Sequence, residues 1–167
     1  EEGKKNILIG GIEEHTPIYV ELYRKANKLN SDNSHKYFEG KTNGVQMGEG
    51  AVFLALSSEK QNAHAAIEGI SLVYKPETSN ELLSKLNAFL RLHDRELENI
   101  DLVLFGFSGD NNNDKLLREL LPLVSNSSAT AYYKHLCGDY HTAGAFATWL
   151  GNKIIEKQNI PHTIRIN

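Results

Sequence analysis

Residues 100–157 read IDLVLFGFSGDNNNDKLLRELLPLVSNSSATAYYKHLCGDYHTAGAFATWLGNKIIEK, and this stretch decides the fold. Ile100 to Phe107 is an apolar run of strand length. The Asn-rich turn behind it caps a helix in which Leu116, Leu117, Leu120, Leu121 and Val124 recur at helical spacing. Ala129 to Tyr133 is a second short strand. His141 to Lys157 is a second helix, with Phe146, Trp149, Leu150 and Ile154 on one face and a thin first turn of Ala143, Gly144 and Ala145. Strands that alternate with helices predict an α/β fold with a mixed, mainly parallel sheet covered by helices, where ligands collect beyond the carboxyl ends of strands. Function is therefore expected on two loops, Phe105 to Asp114 and Tyr133 to Thr142.

Working outward, Asn6 to Ile12 is a short apolar run closed by glycines and reads as a buried strand. Pro17 opens a helix over Ile18 to Leu29, in the first-turn place where its missing N–H costs nothing. Asn30 to Gly50 is a long polar, glycine-rich loop. Ala51 to Leu56 and Ala65 to Tyr74 are both β-prone, which predicts adjacent strands or a hairpin. Thr78 followed by Glu81 is a capping box, and Leu82, Leu83, Leu86, Phe89 and Leu90 behind it predict a helix. His162 to Ile166 reads as a final strand.

Composition narrows the function classes. The 167 residues are 40% hydrophobic and 23% charged, which suits one globular domain and excludes disorder. A net charge of -3 with scattered Lys and Arg makes no basic stripe, so nucleic acid is not an expected partner. The apolar runs are far shorter than the roughly 18 residues of a membrane span, and the first residues lack the regions of a secretory signal. A single cysteine, Cys137, has no internal disulfide partner, which suits a reducing cytoplasm.

The densest chemistry lies in Lys134 to Thr142, a loop between strand and helix that holds an ammonium, two imidazoles, a thiol and a carboxylate. A helix start there favours an anion and acidifies a nearby thiol, but Asp139 or Thr142 as a plain helix cap explains the same residues. His135, Cys137, Asp139 and His141 alternate and in a strand would share one face suited to zinc, although Gly138 invites a turn that breaks the alternation. Cys137 with His135 or His141 is a further candidate, as a thiolate and its base, against the plainer reading of a small buried thiol. The loop Phe105 to Asp114 carries neither nucleotide-binding glycine fingerprint. Gly48-Glu49-Gly50 either presents a carboxylate or allows a tight turn into a strand.

In order along the chain, these segments resemble the later part of β-ketoacyl synthases. Ile9-Gly10-Gly11-Ile12-Glu13 is similar to that family's strand ending in Gly-Gly-x-Glu, and Tyr37-Phe38, Gly44, Gly48-Glu49-Gly50-Ala51 and Leu54-Ala55-Leu56 to its Pro-Phe, Asp-Gly-Phe, Gly-Glu-Gly-Ala, Val-Leu-Glu run. Lys134, Gly138 and Ala143-Gly144-Ala145 resemble its Lys-x-x-x-Gly-His loop and the small-residue helix after it. The resemblance implies a thiolase-like fold, with residues 1–60 as the end of the N-terminal half and 61–167 as the C-terminal half without its last strand. It also assigns the strands at Ala51 and Ala65 to different halves, against the hairpin.

The family condenses acyl thioesters on an acyl carrier protein with a Cys-His-His set and no cofactor or metal. Its nucleophilic cysteine is expected upstream of residue 1. Its first histidine falls at Gly106 when Asp114 is matched, and its second at Asp139. By resemblance, Lys134, Asp139 and His141 are the catalytic candidates, and Gly106, Phe107 and Ser108 the substrate-binding ones. Acyl carrier protein, acyl thioesters and a homo- or heterodimeric partner subunit are the implied partners, with no membrane contact. The chain then belongs either to a divergent acyltransferase or to a silent partner like a chain-length factor. The alternative is a stand-alone α/β binding module without condensing activity.

Overall fold

Alternation along a strand sends neighbouring side chains to opposite faces, and a strand apolar at every position therefore needs cover on both. The computed structural model, which describes residues 5–30, 43–61 and 63–167, supplies that cover for Leu102–Phe105 but not for the strand expected to be buried at Asn6 to Ile12, where Leu8 and Ile12 stay 70% and 65% exposed. Its elements are β1 (Asn6–Glu13), α1 (Pro17–Lys25), β2 (Gly50–Ser57), α2 (Ser79–Arg91), β3 (Leu102–Phe105), α3 (Lys115–Val124), β4 (Ala129–Tyr132), α4 (Lys134–Cys137) and α5 (Ala143–Lys157). Short 3-10 turns stand at Leu97–Asn99 and His162–Ile164.

β3 and β4 pair in parallel, with Leu104 beside Ala131 and Phe105 beside Tyr132. Val103 and Phe105 join Phe107, Leu120 and Val124 in a core closed by Leu82, Leu83 and Leu117 from α2 and α3. Leu102 and Leu104 join Ala131, Tyr133, Leu150 and Ile164 in a second core against α5. The result is three layers, α2 and α3 on one face of β3–β4 and α5 on the other. The chain is thus mixed α/β, but among the described residues the expected mainly parallel sheet is replaced by two small sheets: β3–β4 parallel and β1–β2 antiparallel, from Asn6 opposite Ser57 to Glu13 opposite Gly50. Side-chain periodicity carries no strand direction, so the residues of β1 and β2 alone cannot report it.

Local signals hold where local chemistry is sufficient. Thr16 Oγ1 accepts from Tyr19 N at 3.3 Å and starts α1 with Pro17 in its first turn. Thr78 Oγ1 accepts from Glu81 N at 3.1 Å to start α2, while the Glu81 carboxylate reaches back to Glu77 N, one residue before the cap, at 2.9 Å. α1 stops at Lys25 instead of Leu29, because Asn27 turns into the left-handed region at φ 52° and Leu29 bridges to Val45.

Two expected strands are absent. Ala65 to Tyr74 forms no ladder with the described residues: Gly69 is pressed against the end of α2, where a Cβ would stand 2.2 Å from His93 Nε2, and Glu68 pairs with Arg95 at 3.1 Å. Ile70 and Leu72 stay 88% and 92% exposed there. β propensity records the fit of a residue to a pleated, half-buried surface, and no such surface adjoins this segment. His162 to Ile166 is a 3-10 turn after Pro161, followed by an isolated bridge of Arg165 to Ala131. Asn167 Oδ1 then accepts from Thr130 N and Thr130 Oγ1 at 2.6 and 2.8 Å, tying the tail to β4. No described helix is long and apolar enough to cross a membrane.

Phe107 is fully buried, its ring stacked on Phe105 at 5.2 Å with the Arg118 guanidinium 5.4 Å from its centre. Phe107→Ala is expected to cost about 3–5 kcal/mol of stability, read as a lowered urea midpoint with an unchanged slope. A change below about 1 kcal/mol would place Phe107 outside the core.

Candidate functional site

Lys134 follows β4 by two residues, at the carboxyl end of the parallel pair, and opens the single turn of α4. Gly138 ends that turn at φ 79°, a backbone state that favours glycine. Its backbone lies against Gly48: a Cβ on Gly48 would stand 1.9 Å from the Cys137 carbonyl oxygen, and one on Gly138 2.4 Å from Gly48 Cα. With both side chains absent, Met47 and Asp139 run side by side, Asp139 N donating to Gln46 O at 2.8 Å and Gly48 N to Asp139 O at 3.2 Å. The Asp139 carboxylate, its backbone held this way, accepts from the Lys134 ammonium in a mostly buried ion pair.

The opposite wall comes from β1 and α1. Gly11 abuts Thr142, where a Cβ would stand 2.7 Å from Thr142 Cβ, and this contact brings the end of β1 to the start of α5. Glu13 there accepts from His141 Nδ1 at 2.8 Å and from Thr142 N at 3.2 Å. A carboxylate only accepts, so the proton of a neutral His141 sits on Nδ1. Tyr19 OH donates to Tyr23 OH at 3.0 Å, one turn on, and His15 stacks on Tyr19 with ring centres 5.2 Å apart. The cleft encloses about 220 Å³ and is lined by Glu13, His15, Tyr19, Tyr23, Met47, Lys134, Asp139, Tyr140 and His141.

Its electrostatics follow from two carboxylates in partly desolvated surroundings. Burial alone would raise the Glu13 carboxyl, but the His141 and Thr142 hydrogen bonds and the His141 charge hold it below the ordinary carboxylate range. Tyr19 is pushed up to about 12 by its bond to Tyr23 and by burial, with the charges of Glu13 and Asp139 adding to both. Tyr133 also reaches about 12, through burial first. Burial raises the Cys137 thiol, and the Asp139 charge works in the same direction against Lys134 and Tyr140. Burial therefore disfavours a thiolate at Cys137.

Of the residues expected from sequence, Lys134, Asp139 and His141 meet in this cleft. Gly106 stands beside it: a Cβ there would lie 3.1 Å from the Tyr133 hydroxyl and 3.5 Å from Lys134 Cε, so the glycine gives both their room. Phe107 and Ser108 are not among the lining residues. Phe107 is core, and Ser108 is buried with its N and Oγ donating to Asp114 at 2.8 and 2.9 Å. Gly109 N adds a third bond to Asp114 at 2.8 Å, and burial still lifts that carboxyl above its ordinary value. Asp110 holds the rest of the loop, accepting from Asn112 N, Asn113 N and Gly44 N at 2.9, 2.8 and 2.5 Å.

The alternation that suggests zinc does not survive the helical turn of α4. His135 leaves for Tyr132, with ring centres 4.0 Å apart, and for the Thr163 carbonyl at 2.9 Å, while Cys137 Sγ donates to Gly138 O at 3.4 Å. Among the described residues no three His, Cys, Asp or Glu side chains are placed to hold a metal ion. Glu49 caps the backbone N of His15 at 3.1 Å, which fits the turn reading of Gly48-Glu49-Gly50. The tyrosine wall was missed in sequence, although His15, Tyr19 and Tyr23 lie four residues apart, the spacing that puts helical side chains on one face.

Fold and cleft together define a mixed α/β protein with a site of paired charges and tyrosine hydroxyls, lined by no cysteine or serine among the described residues. No family model, no curated protein and no solved structure matches the chain.

A lowered Glu13 carboxyl contributes stability that is full above the ordinary carboxylate value and fades as pH falls through its folded-state value. Glu13→Gln removes this contribution. The urea midpoint of the native chain should exceed that of the variant near pH 6, and the gap should close towards pH 3; a gap that does not narrow in acid would overturn the assignment.

Proposed function

We propose that the chain is a β-ketoacyl-synthase-like protein of thiolase-like architecture that performs no condensation itself and acts as the silent partner of a chain-elongating subunit. The reading is carried by the Lys134–Asp139 ion pair. By resemblance, Lys134 takes the place of the family's lysine and Asp139 that of its second histidine. Decarboxylative condensation builds negative charge on a thioester oxygen, and catalysis requires donors aimed at that charge. A carboxylate in the histidine position repels it, and pairing spends the lysine ammonium on Asp139. Two like charges about 4 Å apart near a protein surface repel by about 4 kcal/mol, enough to abolish useful stabilisation.

Other features agree. Gly106, in the place of the first histidine, has no side chain to donate. Cys137 carries a thiol raised by burial. His141 is engaged by Glu13. The partner class remains an acyl carrier protein bearing an acyl thioester, together with an active subunit that supplies the cysteine, and the chemistry calls for no cofactor.

Two measurements test this. Incubated with malonyl-pantetheine, the purified chain should release carbon dioxide no faster than the thioester alone, and release that Lys134→Ala abolishes would refute silence. Titration with an acyl-loaded carrier protein should shift NMR signals of residues around the cleft. Absence of any shift would remove the ketosynthase-like reading and favour a binding module of another kind.

A further inference from the structure

The cleft holds hydrogen-bonding capacity that no described residue uses. His15 lines it, yet both of its ring nitrogens are buried without a hydrogen-bond partner. A neutral imidazole offers one donor and one acceptor. Buried polar groups are ordinarily paired, so an imidazole with neither nitrogen bonded marks a place that a further group completes. The ring is stacked on Tyr19 with the two planes 10° apart. A half-turn about its Cβ–Cγ bond, a torsion of roughly two-fold symmetry, keeps that stack and carries both nitrogens to the opposite ring edge.

Its neighbours also have bonds to spare. Tyr23 accepts from Tyr19 at 3.0 Å and keeps its own hydroxyl proton. Lys134 gives one N–H to Asp139 and retains the others, while Asp139 receives it on Oδ1 and retains Oδ2. Unused donors and acceptors therefore stand side by side.

Charge and size narrow what can use them. Two carboxylates, Glu13 and Asp139, line the cleft against the one ammonium of Lys134, so an anion meets surplus negative charge. A cation finds both carboxylates already engaged, by Lys134 and His141. The arrangement suits a neutral ligand whose groups both donate and accept, as hydroxyls do. Vicinal hydroxyls span the Lys134–Asp139 pair, one accepting from the ammonium and the other donating to Oδ2. The volume of about 220 Å³ lies below the roughly 300–1,000 Å³ of a drug-sized site and suits a single small ring. Met47 and the tyrosine rings supply apolar surface for the C–H groups of such a ring.

We propose that the cleft binds a neutral polyhydroxylated ring of monosaccharide size, with Lys134 and Asp139 bridging vicinal hydroxyls, Tyr23 donating to a third and His15 turning to meet another. The inference goes beyond the proposed function and does not rest on it, since no thioester, carrier protein or second subunit enters.

Saturation-transfer NMR on the full chain tests it, with myo-inositol and the methyl α-glycosides of glucose, mannose and galactose as probes. At least one probe should receive saturation on its ring protons. Tyr23→Phe and His15→Phe keep an aromatic ring in place and remove only polar atoms, and each should weaken that probe's binding roughly 2–10-fold with unchanged far-ultraviolet circular dichroism. Should His15→Phe not fold, Tyr23→Phe decides alone. No transfer to any of these probes, equal affinity in the folded variants, or tighter binding of tetramethylammonium or propionate would each overturn the proposal. None of these results alters the outcome expected with malonyl-pantetheine or the acyl-loaded carrier protein, so the two readings fail separately.

Discussion

The close approach of Gly48 and Gly138 is the constraint on which the site depends. A methyl group on either would strike the backbone of the other segment, so only two glycines let Met47 run beside Asp139. This contact ties the segment leading into β2 to the loop after β4, and hence one small sheet to the other. α5 makes the second tie, packing on β3–β4 through Leu150 and on the β1–β2 pair along its other contacts. Glu13, bonded to His141 and Thr142, closes the junction from the β1 side. Loss of the glycine contact would separate the walls of the cleft before it altered any side chain within it.

The sign of the charge in the cleft follows from that geometry. Glu13 and Asp139 arrive from different sheets, and their charges add to the Tyr23 bond and burial that raise Tyr19 and, from Glu13, to the burial that raises Tyr140. Each carboxylate has its own cationic or imidazole partner, whereas both ring nitrogens of His15, buried in the same cleft, have no hydrogen-bond partner. A poised catalytic pair leaves one protonation state incomplete until substrate arrives. Here Lys134 is occupied by Asp139 and His141 by Glu13, and only the His15 imidazole among the cleft's histidines is left without a hydrogen bond. A binding surface that holds its ligand without reacting with it has that character.

The loop after β3 has a similar lesson. Sequence places Phe105 to Asp114 where α/β proteins keep ligand sites, yet its polar residues turn inward: Asp114 collects Ser108 and Gly109, and Asp110 collects Asn112, Asn113 and Gly44. Both carboxylates serve as hubs for backbone N–H groups that a tight loop leaves without partners. A short polar side chain next to its own backbone satisfies those donors as readily as it binds a ligand, and composition does not distinguish the two uses.

The sequence by itself determined the elements whose causes lie within a few residues. Thr78 and Glu81 start α2, Thr16 and Pro17 start α1, and the leucine spacing of α3 gives the apolar face that β3 requires. It also picked out Lys134, Asp139 and His141, three of the residues that line the cleft. Tertiary structure alone decided the rest. Ala65 to Tyr74 and His162 to Ile166 have the residues of strands but not the neighbours, because a strand is completed by hydrogen bonds to another segment. Glu13, His15 and Tyr19 reach the cleft from the far end of the chain, where the contacts of Gly11 with Thr142 and of Gly48 with Gly138 place them. Helix signals act over one turn and are legible in order along the chain, whereas pairing and site assembly depend on which distant backbones can touch.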